Sequence, residues 1–314
     1  MLDDEPTRTD AFDLTEADFT EWLDAIDEMG EKRGYFEPVG ARHSAILTDE
    51  GPTLVVTFET VDTVRQSEDH TPKGWDLVKG TGWSNLCILA HEESWFRDSS
   101  VYGYFDRLVD DGFFEDFDQV VFFGAGACGY AACAYSVVAP GATVIAIAPQ
   151  STLDASRAGW DRRFPKLRRT DFTSRYGYAP DMVEGAEAVF LLFDPAATED
   201  AMHASLFQGD NIHPLRCRHM GSWLSGELWS MGVLPDLIHD AASGDLTPLS
   251  ALQKLRKRRE HLPYLSQLLN QLESEGRMRL VAALSRHVAS LPGKAPRFSK
   301  ALAQAERDIE LENA

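Results

Sequence analysis

The residues with the most chemical content lie in one segment, VVFFGAGACGYAACAYSVVAPGATVIAIAPQ, residues 120–150. An apolar run meets Gly124, Gly126 and Gly129, then a stretch of small residues, then a second apolar run. That order predicts strand, tight turn, helix, strand. Two chemistries use such a turn. In the first, G-x-G-x-x-G lets a dinucleotide pyrophosphate approach a helix N-terminus. Gly124, Gly126 and Gly129 fit that spacing. The partner carboxylate that holds a ribose about twenty positions on is missing, because the next strand ends Ala148-Pro149-Gln150 and Asp154 comes too late. In the second, G-x-S-x-G sets a nucleophile on a strained strand-to-helix turn, and the backbone N–H after it helps form an oxyanion hole. With Gly124 as the first glycine, the nucleophile position is Gly126 and the next residue is Ala127. No hydroxyl or thiol stands there. Cys128 lies two residues beyond the apex, near a helix N-terminus that favours a thiolate.

The segment resembles the elbow region of the α/β-hydrolase family related to accessory glycosylation and polysaccharide-linked esterases, which reads F-G-x-S-M-G-G-Y-A-A before a strand ending Pro-Gln and a Leu-Asp. Phe123, Gly124, Gly129, Tyr130, Ala131, Ala132, Pro149, Gln150, Leu153 and Asp154 carry the match, which continues more loosely to about residue 240. The resemblance implies an acid and then a histidine downstream of the nucleophile. Asp194, ending AVFLLFD, and Asp200 in the following turn stand where the acid is expected. The family's histidine precedes a pattern that GSWLSGELWSMGVL fits through Gly221, Leu228, Gly232 and Leu234, and its position is Ser222. His219 lies three residues earlier, with His203 and His213 as further candidates nearby. Two of three triad positions are therefore replaced. Binding and an oxyanion hole alone leave only about 10³–10⁴-fold over water. The resemblance thus implies a degenerate hydrolase. A divergent hydrolase or transferase using Cys128 with His219 and Asp194 or Asp200 is the competing enzyme, and dinucleotide binding at the glycine turn is a third reading. Proteins resembling this chain are sometimes labelled phosphoadenosine phosphosulfate reductase. The S-G-G-x-D-S loop and the late Glu-Cys-Gly motif of that activity are absent.

A basic island, WDRRFPKLRRTDFTSRYGY at 160–178, follows the Pro-Gln strand in an otherwise acidic chain. Arg162, Arg163, Arg168 and Arg169, with Arg97 from ESWFRD, form a candidate set at the mouth of the pocket. Guanidinium groups suit a phosphorylated or sulfated ligand through charge-assisted bonds. The formal net charge of −20 disfavours nucleic acid and anionic membrane. A small anionic molecule, a protein partner or a second copy of the chain remain as partners. The four cysteines, Cys87, Cys128, Cys133 and Cys217, show no metal or disulfide spacing. No metal and no cofactor is expected. With no apolar run of eighteen residues and an acidic start, the chain reads as a cytoplasmic protein.

The elements that must position these groups follow from periodicity. Thr15 followed by Asp18 predicts a cap for a helix in 15–33 bearing Phe19, Trp22, Leu23 and Ile26. SAILT (44–48) and TLVVTFET (53–60), separated by DEGP, predict a hairpin. Residues 61–82 read as polar and turn-rich, and SNLCILA (84–90) as a strand. Further strands are predicted at 119–123, 143–148, 188–194 and 212–217, a single helix at 221–244, and a helical tail beyond it. The fold class is α/β: a mostly parallel α/β-hydrolase-like sheet with helices on both faces, plus a C-terminal helical extension. The expected division is an acidic N-terminal helical segment (1–39), the α/β-hydrolase-like domain (40–244) and the extension (245–314), whose KLRKRR at 254–259 is strongly basic.

Overall fold

The structure, a computed structural model, describes residues 14–221, 223–293 and 295–312, with side chains to residue 311. Eight strands form one sheet: β1 (Gly34–Val39), β2 (His43–Thr48), β3 (Thr53–Thr60), β4 (Ser84–Ala90), β5 (Gln119–Ala125), β6 (Thr143–Ile147), β7 (Ala188–Phe193) and β8 (Ile212–Arg216). Their spatial order is β1-β2-β4-β3-β5-β6-β7-β8. The β1–β2 and β2–β4 pairs are antiparallel and all others parallel.

The helices up to β7 are α1 (Phe19–Glu31), α2 (Val61–Arg65), α3 (Lys73–Val78), α4 (Ser99–Asp110), α5 (Ala127–Tyr135), α6 (Ala155–Ala158) and α7 (Ala179–Met182). After β7 come α8 (Thr198–Ser205), α9 (Leu224–Ser230), α10 (Val233–Ala242) and α11 (Pro248–Lys254). The chain ends with α12 (Leu262–Ser274), α13 (Met278–Ser290) and α14 (Pro296–Glu312). No described helix is long and apolar enough to cross a membrane.

The predicted hairpin does not form. β4 lies between β2 and β3, which never pair. The reason is visible at the DEGP turn, which is tied to the start of β4. The Ser84 hydroxyl accepts from the Glu50 and Gly51 amides (3.0 and 3.1 Å) and donates to the Gly51 carbonyl (2.8 Å). The turn is thereby held open around a third strand. Residues 61–82, read as turns, hold α2 and α3, both too short for a periodicity signal. The predicted helix over 221–244 is two helices, broken where Gly232 adopts φ 64°. The cap of α1 is Asp18, not Thr15. Its carboxylate accepts from Thr20 and Glu21 amides at 2.8 and 3.0 Å, and Glu21 returns the bond to the Asp18 amide at 3.2 Å.

Alternation along the inner strands divides the core. Leu54, Val56 and Phe58 of β3 point to one face, where Phe58, Phe105 and Tyr135 stack. Val55 of β3 and Val121 of β5 point to the other, against Leu228 and Leu237 of α9 and α10. The tail joins this second cluster through Leu269, Val281 and Phe298. Each such buried side chain contributes about 1.5–3 kcal/mol. A third cluster seats Trp22 and Ile26 of α1 on Ile46 and Trp75.

Candidate functional site

The glycine turn sits at the carboxyl end of β5, in the centre of the parallel strands, where open α/β sheets hold their sites. Gly126 has φ 58° and ψ −122°, a conformation L side chains rarely adopt. Its amide donates to the Ile147 carbonyl at 2.8 Å, and its carbonyl accepts from the Tyr130 amide at 2.9 Å. A Cβ built on Gly126 meets no atom within 4 Å, so the apex faces open space. The flanking glycines do different work. A Cβ on Gly124 would lie 2.1 Å from the Cys128 carbonyl oxygen, so strand and helix touch there through backbone alone. A Cβ on Gly129 would lie 3.1 Å from the Gly124 oxygen and 3.3 Å from that of Ile147. Close packing of α5 on β5 and β6 thus accounts for Gly124 and Gly129, and the positive φ of the apex for Gly126, without a pyrophosphate. Ala127 is half-buried beside the apex, and Tyr130 is fully buried with its hydroxyl donating to the Tyr176 carbonyl at 2.6 Å.

Cys128 does not carry the thiolate its helix position suggested. Burial, reinforced by the charge of Glu59, pushes its thiol up to about 12. Desolvation here outweighs the first-turn dipole. Glu59 itself was not foreseen. It ends β3 beside β5, is buried, and accepts from the Lys73 and Gly74 amides (2.8 and 2.9 Å) and the Thr57 hydroxyl (3.2 Å). Burial raises its pKa from the ordinary glutamate value, against the pull of these hydrogen bonds. A lone glutamate in TLVVTFET was the available signal.

Asp194 and Asp200 part company. Asp194, buried at the end of β7, accepts from the Ala196, Met220 and Gly221 amides, each at 2.9 Å. It therefore reaches the residue preceding the expected histidine position, and it organises backbone there. Ser222 lies outside the described residues. Asp200 instead pairs with Arg163 at 2.7 Å. His219 takes φ 63° and its buried Nδ1 has no hydrogen-bond partner. His213 lies against Phe190, ring centres 5.2 Å apart and planes tilted by 44°. The structure does not join Cys128, Asp194, Asp200 and His219 by any hydrogen bond.

His203, a secondary candidate by sequence, lies in a buried polar chain. Its Nδ1 is 3.1 Å from the Ser151 amide and 2.9 Å from the Ser151 hydroxyl. Its Nε2 is 3.0 Å from Asp161 Oδ2. The three types match a catalytic triad, but Ser151 and His203 are fully buried and the Ser151 amide occupies the same imidazole nitrogen. A second buried pair joins His43 Nε2 to Ser94 Oγ at 2.6 Å, ahead of Trp95 and Phe96, both at positive φ.

The basic set also divides. Arg163 is held by Asp161 (2.8 Å) and Asp200. Arg97 is buried and donates to the Asp171 carbonyl (2.9 Å) and Ser174 hydroxyl (3.0 Å), anchoring the loop instead of facing a ligand. Arg162, Lys166, Arg168 and Arg169 remain exposed on the segment after β6. In the tail, Lys254 and Lys257 pair with Asp240 (3.0 Å) and Asp236 (2.6 Å) of α10.

No protein-family profile matches the chain, and no curated protein is similar to it. Among solved structures it is similar to the esterase domain of a Rhodothermus marinus protein, at 16% identity over 66% of this chain and 97% of that one, TM-score 0.42. It is also similar to Est1E from Butyrivibrio proteoclasticus, at 12% identity over 66% and 98%, TM-score 0.43. A chain of the Glycosylation Associate Protein (Gap123) complex from Streptococcus agalactiae matches at 16% identity over 60% of this chain and 42% of that one, TM-score 0.40. The mostly parallel sheet, the left-handed turn after its central strand and the helices on both faces make this an α/β-hydrolase-like fold.

Proposed function

We propose that this protein is a binding module on an α/β-hydrolase fold, without ordinary ester hydrolysis at its elbow, and that it takes a small anionic ligand beside that elbow. The observation that carries the reading is Gly126: the turn has the strained backbone of a nucleophile elbow, with open space where a side chain would project. Two further features support it. The nearest thiol, Cys128, is held protonated, and Asp194 binds backbone amides in place of an imidazole. The ligand's charge is inferred from Arg162, Lys166, Arg168 and Arg169, four exposed cations grouped in a chain of net charge −20. They follow β6, whose carboxyl end adjoins the elbow through Gly126 and Ile147. A protein partner is the second reading, favoured by Trp223, which is 72% exposed directly after the expected histidine position.

The test pairs two assays. A fluorophosphonate probe is expected to leave the native chain unlabelled. Glucose 6-phosphate, titrated calorimetrically, is expected to bind, and to bind about tenfold more weakly for each of Arg168→Ala and Arg169→Ala, a loss of about 1.4 kcal/mol apiece. Stoichiometric labelling overturns the non-hydrolytic part of the reading. Affinity unchanged by the two substitutions overturns the anion site.

A further inference from the structure

The buried polar chain around His203 has a chemical property that the binding reading does not use. His203 sits on α8, and its side chain and that of Asp161 are both fully enclosed. The Ser151 amide is an obligatory donor, so Nδ1, 3.1 Å away, is the acceptor and the imidazole is neutral with its proton on Nε2. That proton is donated to Asp161 Oδ2 at 3.0 Å. Asp161 in turn receives the Arg163 amide at 2.9 Å and its guanidinium at 2.8 Å, and Arg163 reaches back to Asp200 on α8 at 2.7 Å. Trp160 covers the imidazole, ring centres 4.5 Å apart. The start of the basic segment, residues 160–163, is thus fastened to α8 through one titratable ring. Phe164 and Leu167 hold the next residues independently, against Trp95 (4.8 Å) and the core.

We propose that Ser151, His203 and Asp161 form an acid-released latch that fixes residues 160–163, and with them the approach to the exposed arginines, in the neutral state of the imidazole. A proton on Nδ1 turns the acceptor into a donor pointing at the Ser151 N–H, also a donor. The Ser151 hydroxyl can rotate to accept it, but the buried amide then has no partner. The groups facing the ring are Asp161 and Arg163 from the loop and Asp200 from its own helix. Burial, the largest influence, and Arg163 hold the ring's pKa below 6.5, against the opposing pull of Asp161 and Asp200. Opening the segment returns the ring to water, where it takes up a proton near 6.5. The open state therefore binds the proton more tightly, and acid shifts the population toward it. The latch is independent of the ligand. Only its consequence, an anion site that loosens in acid, rests on the binding reading.

Hydrogen–deuterium exchange on the full chain tests this at pH 7.5 and 5.0, with rates corrected for intrinsic pH dependence. Amides of 160–163 are expected to exchange severalfold faster at pH 5.0, while those of the central strand 119–125 stay unchanged. In His203→Gln, whose amide accepts from Ser151 and donates to Asp161 at either pH, protection is expected to be the same at both. Equal protection of the native segment at the two pH values, or an undiminished acid response in H203Q, overturns the latch. Should H203Q not fold, nitrogen-15 NMR of labelled histidine in the native chain decides. The expected result is the Nε2–H tautomer at pH 7.5, lost in the pH range where the segment opens. An Nδ1–H tautomer or a charged ring at pH 7.5 overturns the proposal. Loss of glucose 6-phosphate binding with the latch intact would sink only the anion reading.

Discussion

Two alanine substitutions, two residues apart, separate backbone strain from backbone contact at the elbow. At Gly126 the new Cβ meets no atom within 4 Å, so Gly126→Ala carries only the cost of holding an L residue at φ 58°, ψ −122°. That strain is of order 1–3 kcal/mol. At Gly124 the new Cβ would fall 2.1 Å from the Cys128 oxygen and 2.3 Å from its carbonyl carbon. Neither atom belongs to a side chain able to turn away, so β5 and α5 must separate through the centre of the core. Gly124→Ala is expected to cost more than about 4 kcal/mol, in the exceptional range for one substitution, or to yield no folded protein. Urea unfolding followed by tryptophan fluorescence measures both, with the slope checked for constancy. Gly126→Ser should match Gly126→Ala in stability. Equal costs at 124 and 126, or a larger cost at 126, would refute the account of the turn on which the functional reading stands.

The remaining predictions concern single groups. Cys128, half-buried with its thiol pushed up to about 12, is about one part in 10⁴ thiolate at pH 8, so iodoacetamide should alkylate it orders of magnitude more slowly in the native chain than after unfolding; equal rates would contradict the raised pKa. His43 is fully buried, and burial lowers its pKa from 6.5 to about 4. Its neutral ring therefore favours the fold fully above pH 6.5, and that contribution declines as pH falls, by up to about 3 kcal/mol at pH 4. His43→Asn should remove that part of the acid sensitivity, read as the difference between urea midpoints at pH 7 and pH 4. Arg97→Ala deprives the Asp171 carbonyl and Ser174 hydroxyl of a buried donor and uncovers Tyr102, for a loss of about 3 kcal/mol. A change in melting temperature of under one degree would show that Arg97 is not the anchor of that loop.

Much of the fold was legible because its signals are local. The strand–turn–helix at 119–135 announces itself through glycines between an apolar run and small residues, and α12 and α13 through leucines and valines at helical spacing. Sheet order was not local. β2 and β3 are both buried along nearly their whole length, so neither carries a pattern that says which neighbour it takes. β1 escaped notice because GYFEPV is an edge strand with a glutamate and a proline. The site shows the same divide. The missing apex side chain is written in the sequence. The chain from Ser151 to Asp161 through His203 is not, since its bonds span 52 and 42 residues. Charge counting found the basic island but did not reveal that Asp161 and Asp200 already hold Arg163.

The tail has a consequence in time. The second face of the sheet is met first by α9 and α10, whose Leu228 and Leu237 lie among Val55, Val121 and Phe190. Leu269, Val281 and Phe298 join that cluster from farther along the chain, and α13 packs chiefly on α14. A nascent chain that has emerged as far as α10 can therefore cover this side of its strands before any tail helix exists, and the last helices thicken a layer already laid down.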